Sequence, residues 1–441
     1  MKIAVATLGC KVNQYETAAI LQALDGVSVV PFEAAADCYL INTCTVTGRT
    51  DYQSRQLIRR ALRSNPGAAV IVTGCYAQRA PEEVARIPGV TIVAGNEEKA
   101  EIGRILQNMI KDKAQVLVGN IQGRHQISNL AATSFAGHTR AFLKIQDGCN
   151  AGCSYCIVPL TRGLSRSLPM PEAMRQIELL AERGYREIVL TGIHLGDYGR
   201  DLLPRLTLAD LVGNILAAGK IERLRLSSIE PGEITDEILE MFRCSPVLCR
   251  HLHIPLQSGD DRILKAMKRN YDTAFFERLI RKIVDAIPDV AIGLDLMAGF
   301  PGEDERAFQN TVRFVENLPA AYFHVFPYSR RPGTKAWTMA GQVQEDDKKK
   351  RAEILRRIGR KKRETFMKRL IGKQLSILIE DRENTKAGHR QGLSEHYMPV
   401  LITNGERYHG NQIVFMVAER LQDGFLVGSA TNHNGRETDT P

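Results

Sequence analysis

Residues 141–163 read AFLKIQDGCNAGCSYCIVPLTRG: an apolar run of strand length, then Cys149, Cys153 and Cys156 on a loop rich in Gly and Asn. Three thiolates at the spacing Cys-x3-Cys-x2-Cys can hold three irons of a cubane cluster and leave the fourth iron without a protein ligand. A structural zinc takes four protein ligands, and no fourth Cys or His follows nearby. An iron left open is a coordination position for another molecule.

Outward from this loop the chain alternates strands and helices. Strand candidates are 141–146, 187–193, 223–229, 251–257, 291–299 and 320–328, separated by helical patterns such as PEAMRQIELLAERG and DTAFFERLIRKIVDAI. Six βα units in a row predict a full or partial TIM-type (β/α) barrel, with its chemistry at the C-terminal ends of the strands. Toward the N-terminus, residues 3–8, 27–30, 38–43, 69–74 and 90–95 are β-branched runs separated by helix-length segments, which predicts a parallel, Rossmann-like sheet over residues 1–118. The polar stretch 119–137 reads as a linker. Toward the C-terminus, 375–380, 396–402, 413–418 and 424–430 are short runs between Gly, Asn and Asp turns, which predicts a small antiparallel β-barrel over 370–433. The fold class is therefore α/β, in three domains: 1–118, 138–368 and 370–433.

Composition is that of an ordinary globular chain: 441 residues, 44% hydrophobic and 25% charged. No run of 18 apolar residues could span a membrane, and the first residues read as a strand, so a cytoplasmic protein is expected. In such a reducing compartment the nine cysteines are expected as thiols or metal ligands. The net charge of +9 is local, since twelve Lys/Arg against two acids between Lys348 and Arg369 carry +10. This basic helical stretch, 343–369, suits phosphate neutralisation and thus a nucleic-acid partner. Residues 371–441 carry seven Lys/Arg against nine acids, so the last domain is itself no basic platform.

Three more cysteines each follow a predicted strand: Cys10 in TLGCKVNQYE, Cys44 in INTCTVTG and Cys75 in VTGCYAQ, at intervals of 34 and 31 residues. Parallel strands end on one sheet edge, so these three thiols could meet. Cys38 is expected as a buried strand thiol. Cys244 and Cys249 with His251 and His253 do not read as a zinc site, because the histidines alternate on a predicted strand that the cysteines precede.

The blocks LGCKVNQYE, NTCTVTGRTDYQSRQLIR, TGCYAQR, QDGCNAGCSYCIVPLTRG, LTGIHLGDYG, LRLSSIEP, HIPLQSGDDRILKAMKRNY, DLMAGFPGE and FHVFPYSRRPGT resemble, in order, the radical S-adenosylmethionine (SAM) methylthiotransferases. The resemblance runs nearly to the C-terminus, where that family carries a TRAM domain that binds RNA or protein. It implies two [4Fe-4S] clusters, one on Cys149, Cys153 and Cys156 that binds and cleaves SAM, and an auxiliary one on Cys10, Cys44 and Cys75. It also implies SAM or substrate contacts at Asn13, Gln14, Ser228, Glu230, Gln257, Asp295, Gly299 and Pro301. The family usually has Thr before this Asp, where this chain has Leu294.

LGCKVNQYE and QSGDD look like the branch that methylthiolates C2 of N6-threonylcarbamoyladenosine 37 in tRNA. Other branches act on isopentenyladenosine in tRNA or on an aspartate of a ribosomal protein, and a non-enzymatic iron–sulfur RNA-binding protein is the remoter alternative. The implied partners are tRNA, an electron donor such as flavodoxin or ferredoxin, and a sulfur donor, with no membrane.

Overall fold

The computed structural model describes residues 1–107, 114–128, 130–383 and 389–431. The first sheet is parallel throughout, in the order β2-β1-β3-β4-β5-β6, from β1 (Lys2–Thr7), β2 (Ser28–Val30), β3 (Cys38–Thr43), β4 (Ala69–Gly74), β5 (Ile92–Ala94) and β6 (Gln115–Leu117). Strands β3 and β4 are buried at every position, Cys38 included. That is why CYLINT and AVIVTG are nearly unbroken apolar runs: helices cover both faces of a parallel sheet. The order places β1, β3 and β4 side by side. Their C-terminal ends fall on one edge, directly before Cys10, Cys44 and Cys75.

The barrel is partial, with six parallel strands. Strands β7 (Ala141–Lys144), β10 (Glu187–Thr191) and β11 (Arg223–Leu226) form one parallel sheet, and β12 (His251–Gln257), β13 (Ala291–Ala298) and β14 (Tyr322–Pro327) form another. The bridges Leu224↔Leu248 and Ser228↔His253 join them. Between β7 and β10 lies a small antiparallel pair, β8 (Gln146–Asp147) and β9 (Arg166–Ser167), which closes the base of the cysteine loop.

The expected linker is structured. Leu130, Ala132 and Phe135 are buried in the core shared by the first sheet and the barrel. Tyr15 donates to the Leu130 carbonyl at 2.9 Å. The Phe135 ring meets those of Phe142 and Tyr185 edge-on. Leu130, Ala132 and Phe135, two and three positions apart, keep neither a strand nor a helix period, so only the surfaces they join reveal them.

Helix Glu345–Arg369 buries Ala352, Leu355, Phe366 and Met367 and leaves Arg357, Arg360, Lys361, Arg363, Lys368 and Arg369 exposed. Beyond it, β15 (Gln374–Glu383), β16 (Arg390–Ser394), β17 (Pro399–Ile402), β18 (Ile413–Val417), β19 (Arg420–Gln422), β20 (Phe425–Gly428) and β21 (Ala430–Thr431) form one sheet in the order β19-β20-β17-β16-β15-β18-β21. Its pairings are antiparallel except β17 with β20, and β19 and β21 are its edges. The expected antiparallel pairing holds except between β17 and β20, a register that leaves no local signal.

This sheet docks on the barrel beside His396, which is 4% exposed and packs near Phe366. Burial, reinforced by Arg250, pushes the imidazole down from 6.5 to about 3. The folded state therefore holds it neutral while the unfolded chain takes up a proton below about 6.5. Stability should fall as the pH drops through that value, by ~1.4 kcal/mol for each unit down to about 3. Comparing unfolding midpoints at pH 7.5 and 5.5 for the parent and His396→Leu should show part of the acid sensitivity removed by the substitution.

Candidate active site: two sets of three cysteines across one cleft

Tight turns present the first set. Gly9 and Gly74 have φ of +99° and +96°, and a Cβ on Gly74 would lie 2.3 Å from the Thr43 carbonyl oxygen, which only glycine avoids. A Cβ on Gly9 would lie 3.0 Å from Cys44 Sγ, which shows how closely that strand end approaches the next. Burial pushes the Cys44 thiol up to about 12, and the Cys75 and Cys10 thiols facing it add to the rise.

The second set sits on the loop after β8. Burial pushes Cys156 up to about 12, with Cys153 and Cys149 contributing. Two cationic donors are aimed at the other sulfurs: Arg269 Nη1 lies 3.3 Å from Cys153 Sγ, and His194 Nδ1 lies 3.4 Å from Cys149 Sγ. Each donor is held by a carboxylate from one short turn. Arg269 pairs with Glu230, and His194 Nε2 lies 2.8 Å from Glu233 Oε1. Cys44 and Cys75 are buried, Cys10 is exposed, and Cys149, Cys153 and Cys156 are half-buried; the donors aimed at Cys149 and Cys153 suit thiolates better than protonated thiols.

The two sets face each other. Asn96 Nδ2 donates to the Thr161 carbonyl at 2.7 Å and lies 3.9 Å from Cys75 Sγ. Arg331, after β14, donates to Thr45 Oγ1 at 2.7 Å and pairs with Asp51 at 2.5 Å. A cleft of about 200 Å³ opens at this junction. Val46 and Thr47 line one side, Tyr155 to Val158 with Cys156 another, and Gln257, Asp295, Met297 and Tyr328 the floor.

The other expected contacts fall into two groups. Gln257 (at φ +70°) and Asp295 reach the cleft. Asp295 Oδ1 lies 2.9 Å from His253 Nε2 and 3.6 Å from His324 Nδ1, and these partners hold its carboxyl below the usual range against its burial. Glu230 serves Arg269, as above.

The remaining residues support the frame. Asn13 is buried and donates to the Leu8 and Thr43 carbonyls at 2.7 and 3.1 Å, tying two cysteine-bearing strand ends together. Gln14 is half-buried on the next turn, Ser228 is exposed beside the bridge to β12, and Pro301 is buried. At Gly299, φ +76°, the stem of Lys348 approaches the backbone: a Cβ would meet its Cγ at 2.3 Å. His251 and His253 lie 2.7 and 3.3 Å from the Tyr322 hydroxyl, with Cys244 exposed and Cys249 buried. Sequence reasoning missed His194, Arg269, Arg162 and Arg331, each a lone residue whose partners lie far along the chain.

Residues 143–315 match the model of the radical SAM superfamily, and residues 2–95 match one described as uncharacterized protein family UPF0004. The chain is 40% identical over 410 residues, 92% of its length and 91% of the relative's, to the threonylcarbamoyladenosine tRNA methylthiotransferase MtaB of Bacillus subtilis (strain 168). It belongs to the radical SAM methylthiotransferase family.

The methylthiotransferase MtaB of Aquifex aeolicus (strain VF5) is also 40% identical, over 86% of this chain and 93% of that one. The tRNA-2-methylthio-N(6)-dimethylallyladenosine synthase of Methylacidiphilum infernorum is 30% identical over 94% and 92%. Among solved structures, the radical SAM methyltransferase TsrM of Kitasatospora setae, with cobalamin and a [4Fe-4S] cluster bound, aligns at TM-score 0.58 and 17% identity over 76% of this chain and 77% of that one, a likeness of fold. Membership of the radical SAM methylthiotransferases implies a [4Fe-4S] cluster and SAM. Among the described residues no helix is long and apolar enough to cross a membrane.

Proposed function

We propose that this methylthiotransferase converts N6-threonylcarbamoyladenosine 37 of tRNA to its 2-methylthio derivative, using two [4Fe-4S] clusters. The observation that carries this reading is the single cleft bounded by Cys156 on one side and by Val46 and Thr47, just past Cys44, on the other. Cys149, Cys153 and Cys156 would hold the cluster that binds SAM; Cys10, Cys44 and Cys75 would hold the second, associated with sulfur. When bound, the first supplies an electron that cleaves SAM to a 5′-deoxyadenosyl radical, the reagent that an unactivated aromatic C2–H requires.

The protein's part is placement. The walls Val46, Ile157, Val158, Met297 and Phe326 are apolar, while Gln257 and Asp295 offer polar contacts. Glu230 and Glu233 fix the donors that face the cysteine sulfurs. For the substrate, five relatives named for threonylcarbamoyladenosine are 34–40% identical, where a relative named for dimethylallyladenosine is 30%.

The exposed cations of helix Glu345–Arg369 give the surface for the tRNA backbone. A cleft of about 270 Å³ beside them combines Arg356, Arg360 and Arg363 with Tyr322, Phe323 and Tyr397, cations and rings together. That positive face disfavours a basic ribosomal protein as partner. The domain division at 1–118, 138–368 and 370–433, with an RNA-binding TRAM-type end, belongs to the same proposal. So do a flavodoxin- or ferredoxin-like reductant, a sulfur donor and a cytoplasmic location.

The test is anaerobically reconstituted enzyme with SAM, reductant and tRNA that is unmodified, isopentenylated or threonylcarbamoylated. Nucleoside mass spectrometry should find the methylthio product only with the last. Product only with isopentenylated tRNA would move the chain to the other branch, and SAM cleavage without any tRNA product would overturn the substrate.

A further inference from the structure

Between the two cysteine sets lies a cluster of charged side chains sealed from water. Glu16 pairs with Lys99, with Lys144 at 3.0 Å and with Arg162 at 2.9 Å. Asp147 pairs with Arg162 at 2.9 Å and with Lys144 at 3.2 Å. All five side chains are 7% exposed or less. Arg166 with Glu97, at 2.6 Å, adjoins them as a balanced pair. Three cations against two carboxylates leave one positive charge in excess. A buried charge without a partner is strongly destabilising, and Arg, unlike Lys, does not shed its proton to escape.

Thiols also face these cations. Cys75 acts on both, and Arg162 acts on Cys10. The geometry agrees. Arg162 Nη2 donates to Asn13 Oδ1 at 2.6 Å, and Asn13 ties the strand ends that carry Cys10 and Cys44. A four-iron core with two positive charges, held by three thiolates, carries one net negative charge. The excess on the protein and the charge on such a cluster are equal in size and opposite in sign.

The geometry points to Arg162 as the positioning residue that supplies the counter-charge of the auxiliary cluster and, through the same guanidinium, locks the first sheet onto the barrel's cysteine loop. This rests on the second cluster of the proposed function. The sequence placed Arg162 only in a block shared with the family; its role comes from a network assembled across residues 16, 99, 144 and 147.

The test isolates that cluster in the full chain by replacing Cys149, Cys153 and Cys156 with Ala, then measures its midpoint potential by EPR-monitored titration. Arg162→Gln removes a positive charge and should shift the potential to more negative values, because the reduced cluster loses its counter-charge. Arg162→Lys should stay near the parent. Glu16→Gln removes a facing negative charge and should shift the potential the opposite way. Opposite signs identify charge; simple loosening of the interface would move both variants alike. Equal potentials in the parent, Arg162→Gln and Glu16→Gln overturn the assignment, as does a common shift. Should Arg162→Gln not fold, the sign of the Glu16→Gln shift decides. Absence of iron from the parent triple variant would instead refute the second cluster itself, and with it the basis for this role.

Discussion

Cys153→Ala should abolish 5′-deoxyadenosine formation from SAM, while Cys75→Ala should leave that cleavage and abolish methylthio transfer. Cys153 lies on the barrel's cysteine loop and Cys75 at the end of β4, and each belongs to a different set of three. A cubane held by three thiolates and left with two loses the geometry that exposes one open iron. Losing Cys153 also removes the sulfur that Arg269 Nη1 faces at 3.3 Å. Cys75 instead starts a helix at the end of β4 and faces Cys10 and Cys44. Its loss leaves the loop of Cys149, Cys153 and Cys156 covalently untouched. Product analysis by mass spectrometry reads both activities in one reaction. Retention of SAM cleavage in Cys153→Ala would remove the first assignment, and retention of methylthio product in Cys75→Ala would remove the second.

The largest stability effect should come from Glu187→Ala, far from the cysteines. Glu187 opens β10, and its carboxylate meets Arg225 Nε at 2.7 Å and Arg223 Nη2 at 2.9 Å, with all three side chains 3% exposed or less. Burial pushes its carboxyl up, but Arg225 and Arg223 outweigh it and hold it at about 2, so it is ionised under all ordinary conditions. The two guanidinium groups in turn donate to backbone carbonyls of the C-terminal sheet: Arg223 to Ser376 and Leu393, Arg225 to Ser394 and Glu395. Removing the carboxylate leaves two cations buried at an interface. Removing one partner of such a pair costs about 3–5 kcal/mol. Thermal or urea unfolding of the full chain should show the drop, and a change below ~1 kcal/mol would mean that the interface is open to water.

Cys10, Cys44 and Cys75 were readable because each follows a β-branched run, and parallel strands share one edge. The barrel strands were readable for the same reason. The stretch 119–137 was misread as a linker, since Leu130 and Phe135 gain meaning only against Tyr15, Phe142 and Tyr185. The C-terminal sheet was read as antiparallel, and the pairing of β17 with β20 escaped because the two strands meet across the intervening β18 and β19, a pairing no local pattern encodes.

What the sequence by itself determined is therefore chemistry tied to local pattern: two sets of three thiols, each at strand ends, and a basic helix whose charge needs no partner to be counted. What only the tertiary structure decided is how the sets face each other and which lone residues serve them. Arg269, His194, Glu233 and Arg162 stand apart in sequence from the groups they touch. Burial, which makes charge and hydrogen bonding count for most, is a property of the packed chain and not of any segment.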